Sequence, residues 1–125
     1  MDDDFDLVEL ARGSDKAPPP DLTLGGYMER HDRPVALEGP DGQAYTVDVD
    51  TEPAVFGDDA GDWVAFLVFL RWAETGAGIM GHVESEDVTR GATAEEARAR
   101  AMELSLYDVR DALDQAIRRR NEDAP

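Results

Sequence analysis

Cysteine is absent from this 125-residue chain, so disulfide bonds, thiolate zinc sites and cysteine nucleophiles are excluded. No stretch of about 18 apolar residues occurs either, which excludes a membrane-spanning helix. Lysine occurs once, at Lys16, and the other 11 basic residues are arginines. Because binding to phosphate groups requires clustered lysine and arginine, these scattered bases predict no binding to nucleic acid or to an anionic membrane surface.

Acidic residues dominate the charge of the chain. Aspartate occurs 18 times and glutamate 11 times, against 12 basic residues, and the formal net charge is -17. Such a charge puts strong self-repulsion on a compact state in dilute salt. High salt screens this repulsion, because the Debye length falls to about 3 Å at 1 M ionic strength. The composition therefore predicts a fold that depends on salt.

The excess of carboxylates and the scarcity of lysine resemble the composition of proteins from salt-in halophiles, especially haloarchaea. Carboxylates hydrate strongly, whereas the long alkyl stem of lysine does not. A surface that mimics DNA would explain the acidic residues but not the missing lysine. The acidic start of the chain, Met1–Asp4, differs from the basic start of a secretory signal, so we expect a cytoplasmic protein.

The chain is predicted to form one domain. Its hydrophobic fraction of 42% is sufficient for a folded core. Residues 1–20 are expected to form an N-terminal segment, with an amphipathic stretch at Phe5–Ala11 and a proline linker at Pro18–Pro20. Proline fixes φ and disfavours helix in the residue before it, so the linker must be extended. Residues 21–125 are expected to form a single α+β domain.

The middle of the chain predicts β-strands. A turn signal at Gly39–Gly42 separates Val35–Leu37 from the alternating segment Ala44–Val49, which indicates a β-hairpin. The strongest hydrophobic run, Trp63–Trp72, is apolar on both of its alternating faces. Such a strand is typical of a central position in a sheet that is covered on both sides. After a glycine-rich turn, Ile79–Val88 is predicted to return as the next strand.

The end of the chain predicts one long helix over Thr93–Arg120. Thr93 and Glu96 form the signature of a capping box at its start. An apolar stripe at helical spacing follows, formed by Met102, Leu106, Val109, Leu113 and Ile117. A shorter helix is indicated at Leu22–His31, although Gly25-Gly26 weakens the pattern. We therefore predict an α+β fold, an antiparallel sheet of four to five strands with a long C-terminal helix packed on one face.

Candidate chemistry is confined to a few polar residues. The two histidines, His31 and His82, could each serve as a general base near neutral pH. On a strand, His82, Glu84 and Glu86 would share one face, where they could bind a hard metal ion or orient a base. A solvated strand face in an acid-rich protein explains the same pattern, and we favour it. We therefore name these three residues as the candidate site but assign no catalytic, metal-binding or cofactor-binding residue.

The segment Gly76–Gly81 matches the nucleotide-binding pattern G-x-G-x-x-G. That fingerprint requires a helix to begin at the glycines, so that its amide groups meet a pyrophosphate. Here the continuation, His82–Ser85, predicts a strand instead. A glycine-rich hairpin turn explains the segment better, and no cofactor is predicted.

The junction between the last strand and the helix carries a further pattern. Gly91–Ala97 reads GATAEEA and is followed by Ala101, while Asp62–Val64 leads into the strongest strand. These features resemble the G-x-T-x-E-E-A junction and the core-strand entry of HicB-type antitoxin domains, over about residues 62–101. The resemblance implies a sheet covered by one helix and a role as an antitoxin that binds a protein partner.

From these observations we predict a non-enzymatic binding or regulatory module that works as an oligomer, in the simplest case a two-fold dimer. The interface is expected on the strongest strand, at Trp63, Phe66, Leu70 and Trp72. One helix covers only one apolar face, and a large exposed apolar patch is unusual for a soluble monomer. The alternatives are an antitoxin-like module with a protein partner and a small enzyme that uses His82 with nearby carboxylates.

Thermal unfolding should depend strongly on salt. Raising the KCl concentration from about 0.1 M to about 2 M is expected to raise the unfolding midpoint, because screening removes repulsion between carboxylates. Circular dichroism against temperature measures the midpoint, and a neutral osmolyte at equal osmolality is the control. A midpoint that does not respond to KCl would contradict the halophile interpretation.

Overall fold

The structure, a computed structural model, describes residues 22–55 and 61–123. Within these ranges the chain forms an α+β fold, and no helix in them is long and apolar enough to cross a membrane. The elements are, in chain order, α1 (Leu24–His31), β1 (Ala36–Glu38), β2 (Ala44–Pro53), β3 (Trp63–Trp72), β4 (Ile79–Gly91), α2 (Ala94–Met102) and α3 (Leu106–Asp123). The predicted N-terminal segment and proline linker, residues 1–20, lie outside the described residues.

The four strands form one antiparallel sheet in the order β1-β2-β3-β4. The register of β2 against β3 is continuous, from the Ala44–Trp72 pair to the Pro53–Trp63 pair. The most apolar strand of the sequence, β3, therefore lies between two hydrogen-bonded neighbours. This arrangement confirms the predicted fold class and the interior position of that strand in the sheet.

Glycine-rich turns join the strands where the sequence predicts them. Between β1 and β2, the Gly42 N–H donates to the Gly39 carbonyl at 2.9 Å, and Gly42 has a φ of 78°. Between β3 and β4, the Ala73 N–H donates to the Gly78 carbonyl at 2.9 Å, and Gly76 has a φ of 75°. Gly76 and Gly78 of the G-x-G-x-x-G segment thus serve a hairpin turn, and Gly81 lies within β4.

Helices α2 and α3 both pack on one face of the sheet, which we call the inner face. Their residues Ala97, Ala101, Val109 and Leu113 are fully buried and belong to one core cluster with the strand residues. On β2 and β3 the inner face is formed by Tyr45, Val47, Val49, Ala65, Leu67 and Phe69. The small side chains of the alanines allow α2 to approach the sheet closely.

The predicted single helix over Thr93–Arg120 is wrong in one respect, because the chain leaves the helix after Met102 and starts a second one at Leu106. The Asp108 N–H donates to the Ser105 hydroxyl at 3.1 Å, and the Ser105 N–H donates to the Asp108 carboxylate at 3.4 Å. This reciprocal cap starts α3. The long C-terminal helix itself, packed on one face, is confirmed.

Helix α1 docks at the break between α2 and α3. The Leu24 N–H, at the start of α1, donates to the Leu104 carbonyl between α2 and α3 at 2.8 Å. A Cβ atom on Gly25 would lie only 2.8 Å from the Cβ atom of Met102. Gly25, one of the two glycines that weaken the helical pattern in the sequence, therefore lets α1 pack closely against the end of α2.

The prediction that β3 is covered on both sides is not met by the described residues. Its inner-face residues contact the helices, whereas the opposite side of the strand carries Val64, Phe66, Val68, Leu70 and Trp72. No described helix packs there. The reason is topological, because both C-terminal helices follow β4 on the same side of the sheet.

Leu113→Ala is expected to lower the free energy of unfolding by about 2–5 kcal/mol, the range for buried leucines. Leu113 is fully buried between α3 and the sheet. The exposed neighbour Gln115 provides the control, since Gln115→Ala should change stability by less than about 0.5 kcal/mol. Denaturant unfolding in concentrated KCl measures both. Equal effects of the two substitutions would contradict the packing of Leu113 against the sheet.

Candidate functional site

The side of the sheet that faces away from the helices, which we call the outer face, carries a row of apolar side chains along β3. The members of this apolar row are Val64, Phe66, Val68, Leu70 and Trp72. Val64 is 7% exposed and the others are half-buried, yet none of them belongs to the core cluster under the helices. The indole N–H of Trp72 donates to the Thr46 hydroxyl at 2.8 Å, which fixes the ring beside β2.

Carboxylates flank the apolar row on both neighbouring strands. In the sheet register, Val68 lies between Asp48 and Glu84. Directly opposite residues of antiparallel strands point to the same face, so each apolar side chain is bordered by its partners. We call the flanking carboxylates the acidic rims; they are Asp48, Asp50 and Glu52 on β2, and Glu84 and Asp87 on β4. All five are exposed.

Exposed apolar residues mark both ends of the outer face. At the end where β3 begins, a cleft of about 510 Å³ lies between β2 and β4, with Val64 and Val55 in its lining. Val55 is 68% exposed. At the other end Ile79 pairs with Trp72 and is 53% exposed. The apolar surface therefore runs along the full length of β3.

The structure separates the four residues predicted to form an interface. Phe66, Leu70 and Trp72 belong to the apolar row on the outer face. Trp63 lies on the inner face and packs against the core beneath the helices. Strict alternation along β3 would have assigned Trp63 to the inner face. It would also have added Val64 and Val68 to the predicted interface residues.

The candidate site at His82, Glu84 and Glu86 is only partly assembled. The His82 Nε2 atom lies 3.3 Å from a Glu84 carboxylate oxygen, and both side chains are more than half exposed. Glu86 instead forms an ion pair with Arg119 of α3 at 3.1 Å. Among the described residues no group of three or more His, Asp or Glu side chains is placed to hold a metal ion.

A β-bulge explains why the three residues do not act together. Glu84 pairs with Val68, but the next paired residue of β4 is Asp87, opposite Phe66, so alternation breaks between them. The Ser85 hydroxyl accepts a hydrogen bond from the Leu67 N–H at 2.8 Å. A side chain thus takes the place of a backbone carbonyl in the ladder.

Arginine side chains donate hydrogen bonds to backbone carbonyls of the edge strand β4. Arg119 donates to the Glu84 carbonyl at 2.7 Å, and Arg100 donates to the Arg90 carbonyl at 2.6 Å. Arg119 belongs to the arginine run at the end of α3, and Arg100 lies in the last turn of α2. A further strand could add to this edge of the sheet only by displacing these contacts.

A polar cluster that the sequence does not reveal joins the β1–β2 turn to α3. The buried Tyr45 hydroxyl donates to Asp41 at 2.6 Å, and the Gln43 N–H donates to the same carboxylate at 3.1 Å. Arg120 lies 3.7 Å from it. Burial raises the pKa of Asp41, but the hydrogen bonds from Tyr45 and Gln43 outweigh it and hold this pKa below 3.8. Burial, and then the Asp41 carboxylate, raise the pKa of Tyr45 above 10.0.

No protein-family model, curated protein or solved structure matches this chain. The resemblance of the strand-to-helix junction to HicB-type antitoxins therefore rests on its own residues. Among the described residues, the outer face is an apolar surface on which no helix packs.

Tyr45→Phe is expected to lower the free energy of unfolding at neutral pH by about 1.5–3 kcal/mol, the range for hydrogen bonds to charged groups. Because folding raises the pKa of Tyr45, its protonated hydroxyl stabilises the fold at pH values below 10.0. This stabilisation is lost as the pH rises above 10.0 and the hydroxyl loses its proton. The difference between the native chain and the variant should therefore shrink above pH 10.0.

Denaturant unfolding across this pH range measures the difference between the two proteins. Tyr27→Phe is the matched control, because the Tyr27 hydroxyl accepts a solvent-exposed hydrogen bond from Arg33 rather than donating to a carboxylate. A difference for Tyr45→Phe that stays constant through the alkaline range would contradict the role of the Asp41–Tyr45 pair.

Proposed function

We propose that this protein is a non-enzymatic binding module of a salt-rich cytoplasm, and that the outer face of the sheet is its binding surface. The observation that supports this proposal is the apolar row on β3, which no described helix covers. An apolar surface of this kind on a soluble protein is typical of an interaction site. Concentrated salt strengthens apolar association further, so the face would bind most effectively where the acidic surface is also most stable.

The charged groups elsewhere support binding rather than catalysis. His82 and Glu84 form an exposed pair, and Glu86 is held by Arg119. Arg120 is close to Asp41. The contacts of Arg119 and Arg120 tie α3 to β4 and to the β1–β2 turn, and the described residues assemble no site for the small-enzyme alternative.

The two-fold dimer stays a prediction. A dimer formed through the outer face would be isologous, so that the apolar row of one copy would meet the apolar row of the other. Phe66, Leu70 and Trp72 would then lie in the interface, as the sequence predicts, but Trp63 would not.

An antitoxin-like module is the second candidate, because the residues that carry the HicB resemblance build the junction between β4 and α2. A Cβ atom on Gly91 would lie 2.6 Å from the Ala97 nitrogen, so this position requires glycine. The Thr93 hydroxyl accepts from the Glu96 N–H at 3.1 Å, and Glu96 accepts from the Ala92 N–H at 3.1 Å. These contacts support a junction between β4 and α2 like that of HicB-type domains. Such a likeness concerns the fold more than the activity.

Val68→Asp should abolish binding through the outer face. It would place a third carboxylate between Asp48 and Glu84, at the centre of the apolar row. Ala99→Asp, on the exposed surface of α2, adds the same charge on the other side of the molecule and is the control. Affinity capture in concentrated KCl from the cells that contain this protein should retain partners, a second copy included, with the native chain and Ala99→Asp only.

Thermal unfolding in the same salt establishes that each variant is folded. If Val68→Asp does not fold, Val68→Thr provides a milder polar change of nearly the same shape. Identical captured proteins for all variants, or no captured protein for the native chain, would contradict the proposal.

A further inference from the structure

We infer that the outer face binds a positively charged polypeptide segment in which apolar side chains alternate with arginine or lysine. This inference rests on the proposed function, since it names the partner of the same surface. Val68 lies between Asp48 and Glu84, and Phe66 lies between Asp50 and Asp87. An extended segment lying along β3 would therefore place alternate apolar side chains on the apolar row. The arginine or lysine side chains between them start on the far side of the segment, and they are long enough to bend back to the carboxylates on either side.

The acidic rims require a partner with the opposite charge. Asp48 and Asp50 each accept one backbone N–H at 2.8 Å, from Val49 and Thr51, but both carboxylates keep their charge. Covering such charges without a countercharge carries a large desolvation penalty. Arginine matches a carboxylate with two parallel hydrogen bonds, and its alkyl stem can lie on apolar surface. A neutral or acidic segment would cover the apolar row only at the expense of the carboxylates on both sides.

A second copy of the chain is a poor match for this face. A two-fold axis parallel to β3 would set β2 of one copy over β4 of the other, and a two-fold axis across the strands would set β2 over β2. Both arrangements bring acidic rims together, because His82 and Arg90 are the only basic side chains in the outward rows of these described strands. Like charges across an interface disfavour association.

The amino-terminal part of the same chain has the wrong charge as well. The first 21 residues contain seven acidic side chains and two basic ones. By composition, they would add to the repulsion at the acidic rims. Charge complementarity thus favours a separate, basic partner over both occupants that this chain could itself supply.

The geometry of the edges favours binding across the face rather than addition of a strand. Arg119 and Arg100 already donate to the Glu84 and Arg90 carbonyls on β4. At the opposite edge, β1 pairs only with Ala44–Thr46 of β2, and beyond it the Val49 and Thr51 N–H groups donate to the Asp48 and Asp50 carboxylates. An extended segment can therefore lie on the apolar row, whose five side chains run along the ten residues of β3.

A peptide selection tests this inference. A display library of random peptides ten residues long, the length of β3, is selected against the native chain in about 1 M KCl, where the Debye length is about 3 Å and long-range attraction is screened. The affinity of each selected peptide is then measured by tryptophan fluorescence in a Trp63→Phe background, which leaves Trp72 on the outer face as the probe. We expect selected peptides in which arginine or lysine alternates with apolar residues.

Two matched pairs of substitutions separate the effect of the acidic rims on peptide affinity from the effect of net charge. Asp48→Asn with Asp50→Asn removes two carboxylates from the β2 rim, and is expected to weaken binding by at least about tenfold. Glu95→Gln with Asp111→Asn removes two exposed carboxylates from the helices, and is expected to weaken binding by less than about twofold. Equal losses for the two pairs would show attraction to net charge alone and would overturn the inference.

The remaining outcomes distinguish this inference from the proposed function. If the selection enriches neutral or acidic peptides, or enriches no peptide, the inference of a basic partner is overturned. Light scattering that gives twice 13.7 kDa for the native chain but not for Val68→Asp assigns the face to a second copy, which overturns the inference and leaves the proposed function intact. Peptide binding that Val68→Asp does not weaken places the site elsewhere, and both proposals then fail.

Discussion

The burial of β3 is the constraint on which the rest of the structure depends. Leu67 and Phe69 are fully buried on its inner face, beneath helices whose alanines Ala97 and Ala101 allow a close approach. The same strand is apolar on its other side, and a protein with a net charge of -17 surrounds that side with carboxylates. The inner face accounts for the stability of the fold, and the outer face accounts for the binding function that we propose.

The fold was predictable where the signals are local. The apolar run of β3, the glycine-rich turns and the capping box at Thr93 each fix a short piece of structure by their own chemistry. The break between α2 and α3 was not predicted, because Met102 and Leu106 keep helical spacing across it. Only the Ser105–Asp108 pair indicates a second helix start, and periodicity hides this signal.

The candidate surfaces were less predictable, since they depend on contacts between distant segments. Alternation along β3 identifies the outer face. It cannot reveal the bulge in β4, where the Ser85 hydroxyl accepts a hydrogen bond from the Leu67 N–H and Glu86 points away from Glu84. The cluster of Asp41, Tyr45 and Arg120 joins a turn to a helix end across most of the chain. No sequence pattern reports which acid such a helix end will meet.

The arginines that bind the backbone of β4 give the scarcity of lysine a consequence for solubility. Arg119 binds the Glu84 carbonyl and the Glu86 carboxylate together, and Arg100 binds the Arg90 carbonyl while pairing with Glu96. The planar guanidinium can serve two acceptors in fixed geometry, which a lysine ammonium does less well. Exchange of these arginines for lysine would keep the net charge but loosen the cover on an edge strand, and so favour edge-to-edge aggregation in concentrated salt.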